Sequence, residues 1–159
     1  MLDQRTISRA TYDLPKDDVV AKPAYRECAY ALLRATLGIV FLFAGIGKFM
    51  GGVGNFAAEL QQQFAGKLPM FIVTPFAYAL PFAEVTIGAL LVLGLFNVVA
   101  LIITGLLLMG LTFGKVMEND TATVAHNLTY VLINFLLLWL AKYNHYSLDQ
   151  LLRGKQVNQ

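Results

Sequence analysis

The chain has 159 residues, of which 57% are hydrophobic and 14% charged, and its formal net charge is +2. This composition is typical of an integral membrane protein with one domain, and it excludes a separate soluble catalytic module. The small net charge comes without a basic block, so nothing favours a nucleic-acid partner.

Residues 1–27 are polar and carry both charge signs, with prolines at Pro15 and Pro23. They lack the apolar core and the small-residue cleavage site of a signal peptide. We predict a cytoplasmic N-terminal tail that is either disordered or ordered against a partner subunit. Cys28 is the single cysteine, which excludes an internal disulfide and a Cys-x-x-Cys redox pair, and we interpret it as a small filler near a helix end.

Four apolar stretches fill residues 28–142, which form the predicted membrane domain. Each approaches the roughly 20 residues that a transmembrane helix needs. The four predicted spans are residues 29–49, 74–95, 98–117 and 124–140. The predicted fold is therefore all-α, a bundle of four transmembrane helices.

Two connections in this domain have recognisable patterns. After the first span, apolar Phe56, Leu60 and Phe64 recur every four residues, which predicts a short interfacial helix over residues 55–64. The second and third spans are joined almost directly at Phe96 and Asn97, which predicts a tight antiparallel hairpin with Asn97 supplying the turn.

Basic residues outside the spans predict the orientation, because cytoplasmic flanks carry the excess of Lys and Arg. Four crossings put residues 1–27 and the C-terminal tail, residues 143–159, on one side of the cell (inner, plasma) membrane. The basic residues on that side are Arg5, Arg9, Lys16, Lys22, Arg26, Lys142, Arg153 and Lys155, and those opposite are Lys48, Lys67 and Lys115. Both termini are predicted to be cytoplasmic.

The first span contains two ionisable residues on one face. Arg34 and Lys48 lie about 21 Å apart along the helix, from the rise of 1.5 Å per residue. Gly38 and Gly45 share that face and would let a neighbouring helix approach closely. Each charge either points inward to a partner or extends to the nearer membrane interface.

Glu84 lies near the middle of the second span, where a carboxylate does not easily reach water. It is therefore either protonated or paired with a cation or hydrogen-bond donor. Gly88, one turn further on, again permits close helix approach. Two interpretations stay open, a clamp that fixes helix packing and a proton or ligand site.

The fourth span carries a polar stripe. Thr123, Asn127, Tyr130 and Asn134 fall on one face, with His126 beside them. The stripe either hydrogen-bonds neighbouring helices or forms a polar pocket in the outer half of the bundle. The pocket would also include Lys48, Lys115 and Glu84, and it could hold a quinone headgroup, which needs a hydrogen-bond donor and a proton-delivering group. No metal site is predicted, and no haem, flavin or iron–sulfur ligand set is present.

Three stretches in order resemble the DoxX family of membrane proteins. They are residues 33–48 with Arg34, Gly38, Gly45 and Lys48, residues 84–95 with Glu84 and Gly88, and residues 146–155, Tyr-Ser-Leu-Asp-Gln-Leu-Leu-Arg-Gly-Lys. The chain departs from the family pattern in two places. Asn97 stands where a basic residue is common, and Lys142-Tyr-Asn-His145 replaces a glycine-rich segment.

This resemblance implies a four-helix bundle linked to redox metabolism, since relatives include subunits of a thiosulfate:quinone oxidoreductase and membrane anchors for enzymes that handle thiol or oxidative stress. We therefore predict a membrane redox subunit that contacts lipid and partner proteins and contributes to a quinone site. If it is an enzyme, it is part of a quinone-linked oxidoreductase. The alternatives are a purely structural accessory subunit or anchor and, third, a small-solute transporter, for which no internal repeat is visible. The predicted catalytic residues are Glu84, as a proton relay, and His126, and the predicted cofactor-binding residues are Arg34, Lys48, Asn127 and Tyr130.

Overall fold

The structure is a computed structural model of the chain, and it describes residues 23–150. Most of the two predicted tails falls outside this range. The choice between a disordered and an ordered N-terminal tail, and six of the basic residues used for orientation, therefore lie outside the described residues. They are Arg5, Arg9, Lys16, Lys22, Arg153 and Lys155.

The described chain is helical, and no strand occurs between residues 23 and 150. The helices are α1 (Pro23–Met50), α2 (Val53–Gln63), α3 (Met70–Leu93), α4 (Asn97–Met117) and α5 (Thr121–Trp139), followed by a 3₁₀ turn at Ala141–Tyr143. Four of them, α1, α3, α4 and α5, are long and apolar enough to cross a membrane. The predicted all-α fold with four spans is confirmed, and the protein is a multi-pass membrane protein.

The helix boundaries differ from the predicted ones in two informative ways. α1 begins at Pro23, five residues before the predicted domain start, because proline is well tolerated in a first helical turn. The prediction that Asn97 supplies the turn between the second and third spans was wrong. Gly94 (φ +70°) and Phe96 (φ +47°) take the left-handed conformations there, and Asn97 is the buried first residue of α4.

The bundle consists of two closely packed helix pairs, α1 with α3 and α4 with α5, and α2 folds back onto α3. Gly38, Gly45 and Gly88 lie where α1 and α3 cross. A Cβ atom on Gly88 would lie 2.6 Å from the Cα atom of Leu42, which is closer than real side chains approach. The close helix approach predicted from these three glycines is therefore present, and they form what we call the glycine seam.

Apolar side chains form both the core of the bundle and most of its outer surface. Leucines and aromatic residues of α1, α3, α4 and α5, including Leu37, Phe41, Leu91 and Leu101, form one buried cluster. Large apolar side chains also cover the outside of the bundle. Those of α5 are Leu128, Leu132, Phe135, Leu136, Leu138 and Trp139. In a bilayer such side chains contact the hydrocarbon chains of the lipid, which form no hydrogen bonds, so their exposure there is not unfavourable.

Candidate functional site

The two ends of the bundle carry different polar groups. The Arg34 end comprises the start of α1, the α3–α4 turn and residues 140–150. The Lys48 end comprises the end of α1, all of α2 and the α4–α5 turn.

A partly buried ion pair joins α1 to α3 near the Lys48 end. The Lys48 ammonium lies 2.7 Å from Oε2 and 2.9 Å from Oε1 of Glu84, and it is also 3.4 Å from the Ala44 carbonyl oxygen. The Glu84 side chain is 4% exposed and that of Lys48 is 22% exposed. Glu84 thus has the cationic partner that its position in a span requires, and that partner is Lys48.

A crevice of about 290 Å³ opens onto the Lys48 ammonium. Its walls are short because three glycines contribute no side chains, and its lining is Ala44, Gly47, Gly51, Gly52, Asn55, Phe56 and Glu59 with Lys48 itself. The ring of Phe56 stands over the ammonium, 5.3 Å from the nitrogen to the ring centroid. The crevice therefore links the surface at α2 to a buried pair of charges, an arrangement that can hold a small polar group or exchange a proton with water.

Arg34 lies at the opposite end and contacts neither Lys48 nor Glu84. Its guanidinium is buried and donates hydrogen bonds to the Asn144 side-chain oxygen and, at 3.0 Å, to the carbonyl oxygen of Tyr146. Gly94 makes room for it, because a Cβ atom there would lie 2.7 Å from the guanidinium carbon. Arg34 therefore attaches the segment after α5 to α1.

The same segment caps α4. The Asp149 carboxylate accepts hydrogen bonds from the backbone N–H groups of Phe96 (3.0 Å) and Asn97 (3.2 Å), which satisfies two free donors at the helix start. The Asn97 side chain in turn donates to the Tyr30 hydroxyl at 2.7 Å. These contacts could not be predicted from the sequence, because the bonded residues are more than 50 positions apart and no local pattern marks them.

The polar stripe of α5 faces the inside of the bundle, whereas the neighbouring His126 does not. Asn127 and Asn134 are buried and Tyr130 is partly buried. Asn134 donates to the carbonyl oxygen of Leu101 at 3.1 Å, so this part of the stripe joins α5 to α4. His126 is exposed.

Of the predicted site residues, the structure brings Lys48 and Glu84 together and places Arg34 at the opposite end of the bundle. The crevice beside Lys48 is lined by neither His126 nor Asn127. Lys115 instead pairs with Glu118 on its own helix end, at 2.6 Å. The roles proposed for these residues in catalysis and cofactor binding stay predictions.

The α4–α5 turn is fixed by an acidic helix cap. Asp120 accepts hydrogen bonds from the hydroxyl (2.6 Å) and the backbone N–H (3.1 Å) of Thr123. These bonds favour the ionised carboxylate and lower the pKa of Asp120 below its usual value. Within residues 23–150, no group of three or more His, Cys, Asp or Glu side chains is placed to hold a metal ion.

An apolar groove of about 420 Å³ lies between α2, α3 and α4 at the Lys48 end. Lys115 and Glu118 contribute the charged groups of its lining. The apolar lining includes Leu60, Phe64, Leu68, Ile72, Val73, Phe76, Leu80, Leu111 and Phe113, with Gly110 and Gly114. A long apolar ligand with a polar head fits such a groove by its chemistry.

One comparison with known proteins gives a match. The family model described as methylamine utilisation protein MauE matches residues 26–123, which extend from α1 to the first turn of α5. Comparison with curated proteins and with solved structures gives no significant match.

The match overturns the resemblance to the DoxX family, which was wrong. Two of the three stretches behind that resemblance, residues 33–48 and 84–95, lie inside the region that matches MauE, and the third, residues 146–155, lies outside it. The first two contain the glycine seam and the Lys48–Glu84 pair. The spacing of these residues reflects how α1 packs on α3. Because different families of small helical bundles can pack in this way, the spacing does not distinguish one family from another.

Proposed function

Since the chain belongs to the MauE family, we propose that it is a membrane subunit that serves the maturation of a redox enzyme in methylamine utilisation, with methylamine dehydrogenase as the enzyme concerned. The observation that carries this proposal is the family match over residues 26–123, which includes the second and third spans completely and all but the start of the first. The sequence analysis also predicted a redox-associated membrane subunit, although it assigned that subunit to a different family.

The proposed subunit acts through a partner protein. The 159 residues contain one cysteine, Cys28, so thiol–disulfide chemistry at this protein needs a second thiol from another chain. The glycine seam and the Lys48–Glu84 pair hold α1 against α3 as a firm unit, which suits a scaffold that positions a partner at the membrane. The Lys48 crevice is the part of this unit where a partner's polar side chain could reach the buried charges.

Deleting the gene in its host tests the proposal. We expect the amount of mature, active amine dehydrogenase to fall while its transcript stays constant, and a plasmid copy of the wild-type gene to restore it. A C28S copy should restore it equally, because the proposed role does not use this thiol. Unchanged mature enzyme in the deletion strain would refute the role, and failure of C28S alone would place thiol chemistry on this chain.

A quinone site is the second candidate, and the groove between α2, α3 and α4 is the observation that favours it. Its apolar lining suits an isoprenoid tail, and the Lys115 ammonium and Glu118 carboxylate could hydrogen-bond a headgroup. The measurement is the amount of quinone that stays bound when the protein is gently extracted from its membrane. G110L should fill the groove and remove the quinone, whereas E84Q should retain it unless the headgroup lies at the Lys48–Glu84 pair as the sequence predicted. Extracted protein without quinone would end this candidate.

We also propose that the Arg34 end faces the cytoplasm. Cys28 is exposed near this end and is the single thiol of the chain, so it is a natural probe of the orientation. A membrane-impermeant maleimide added to intact cells should leave Cys28 unlabelled, and the same reagent should label it after the membrane is opened. Labelling in intact cells would reverse the assignment.

A further inference from the structure

Two cations lie close to one aromatic ring at the Arg34 end of the bundle. Arg26 Nη1 donates a hydrogen bond to the Tyr143 hydroxyl at 3.2 Å. The guanidinium carbon of Arg26 and the ammonium of Lys142 lie 6.0 Å and 5.1 Å from the centroid of the Tyr143 ring. Arg26 and Lys142 are both exposed, so the three side chains form a basic surface, which we call the Tyr143 cluster.

The cluster carries positive charge that the described chain does not neutralise. Among residues 23–150, no carboxylate oxygen lies within 4.0 Å of Arg26 or Lys142. The neighbouring Glu27 lies instead 3.8 Å from the His145 ring. The hydrogen bond from Arg26, together with the charges of Lys142 and Arg26, lowers the pKa of the Tyr143 phenol, which is the effect expected where the local potential favours an anion.

An apolar groove begins at this cluster. It has a volume of about 430 Å³ and lies between α1 and the end of α5, with Ala29, Tyr30, Leu33 and Leu140 as its lining beside Arg26 and Tyr143. Ala29 and Leu33 are one helical turn apart on α1, so the groove follows the helix from the basic surface toward the interior of the bilayer. A cavity with this lining is poorly filled by water and well filled by a hydrocarbon chain.

We propose that this site binds an anionic phospholipid, with its phosphate between Arg26 and Lys142 and one acyl chain in the groove along α1. The charge of the cluster selects the headgroup, because a zwitterionic lipid would bring its own ammonium or choline group toward two cations. The Tyr143 ring lies beside both cations, and such amphipathic rings favour the membrane interface, where phosphate groups lie. The site does not depend on the proposed role in enzyme maturation, since it uses neither the Lys48 crevice nor a partner protein.

Native mass spectrometry of the full-length protein tests this directly. The purified protein is titrated with equal amounts of dioleoyl phosphatidylglycerol and dioleoyl phosphatidylcholine in detergent, and the bound lipid is counted for each. We expect wild-type protein to prefer phosphatidylglycerol. One Lys or Arg near an anionic surface contributes about 1 kcal/mol of attraction, which corresponds to about fivefold in affinity. Removing either charge should therefore weaken phosphatidylglycerol binding about fivefold, and R26Q/K142Q should weaken it about thirtyfold. K67Q is the matched control, because it removes one exposed lysine at the Lys48 end.

A second measurement locates the lipid. Trp139 is the single tryptophan of the chain and directly precedes Leu140, which lines the groove. Brominated phosphatidylglycerol in phosphatidylcholine vesicles should therefore quench its fluorescence more than brominated phosphatidylcholine does, and K142Q should reduce this difference. If R26Q/K142Q does not fold, K142Q alone, which changes one exposed side chain, carries the test.

Three results would overturn the proposal. Equal binding of both lipids to the wild-type protein would show that the cluster does not select an anion. A loss of phosphatidylglycerol in K67Q as large as in K142Q would show that the preference follows total charge. Displacement of the lipid by millimolar inorganic phosphate alone would equally reject it, since the proposal requires the acyl chain as well as the phosphate.

Discussion

The substitution G88A is expected to destabilise the protein by opening the glycine seam. A Cβ atom on Gly88 would lie 2.6 Å from the Cα atom of Leu42 and 2.8 Å from the carbonyl oxygen of Gly38. These atoms belong to the backbone of α1 and cannot rotate away, and the Leu42 nitrogen is closer still, so the helices must separate by at least roughly 0.8 Å to reach an ordinary contact of 3.4 Å. A gap of about 0.5–1 Å forfeits a quarter to a half of the dispersion attraction across it, and overpacking of this kind costs about 1–3 kcal/mol.

G47A is the matched control for this experiment. Gly47 lies on the same helix as Gly38 and Gly45, but a Cβ atom there would meet no other atom within 4 Å. Both substitutions exchange glycine for alanine inside a helix and gain the same intrinsic helix propensity, about 1 kcal/mol. The difference between the two variants therefore isolates the seam.

Reversible unfolding in mixed micelles with increasing SDS, followed by far-UV circular dichroism, measures that difference. We expect G88A to be less stable than G47A by about 1–3 kcal/mol. Equal stability of the two variants, within about 0.5 kcal/mol, would refute the view that close backbone packing of α1 and α3 holds the bundle together.

Three further outcomes can be checked by unfolding and hydrogen exchange. K48M should cost about 3–5 kcal/mol because it leaves the buried Glu84 without a partner, and E84Q should cost less because Lys48 reaches water through its crevice; equal costs would contradict this asymmetry. D149A should destabilise by about 1 kcal/mol and speed amide exchange at the start of α4, and unchanged exchange there would contradict the cap. D120A should be less stable than the wild type at neutral pH, and the gap should narrow below about pH 4. The hydrogen bonds from Thr123 lower the Asp120 pKa, so its stabilisation is complete above the usual Asp range and is lost as the pH falls through the lowered pKa. A gap that stays constant with pH would show that the Asp120 charge is not involved.

Short sequence patterns in a leucine-rich membrane protein predict helix packing better than they identify the family. Many unrelated membrane proteins have glycines and charged residues in leucine-rich helices. The glycines allow two helices to pack closely, and the charged residues pair with one another inside the bundle. Residues 33–48 and 84–95 have that pattern because α1 and α3 form the glycine seam and the Lys48–Glu84 pair. Their spacing correctly predicted close packing, and it did not identify the family.

The sequence by itself determined the four spans, the short helix after the first of them, and the positions where charge and glycine interrupt the apolar helices. These features are local, since hydrophobic length and periodicity are read within a single segment. The tertiary structure alone decided the partners. Lys48 meets Glu84 across 36 positions, Arg34 holds Asn144 across 110, and the Asp149 carboxylate caps a helix that begins 52 residues earlier. Which charges meet depends on how each helix is rotated about its axis and which neighbour it faces, and packing between distant segments sets both.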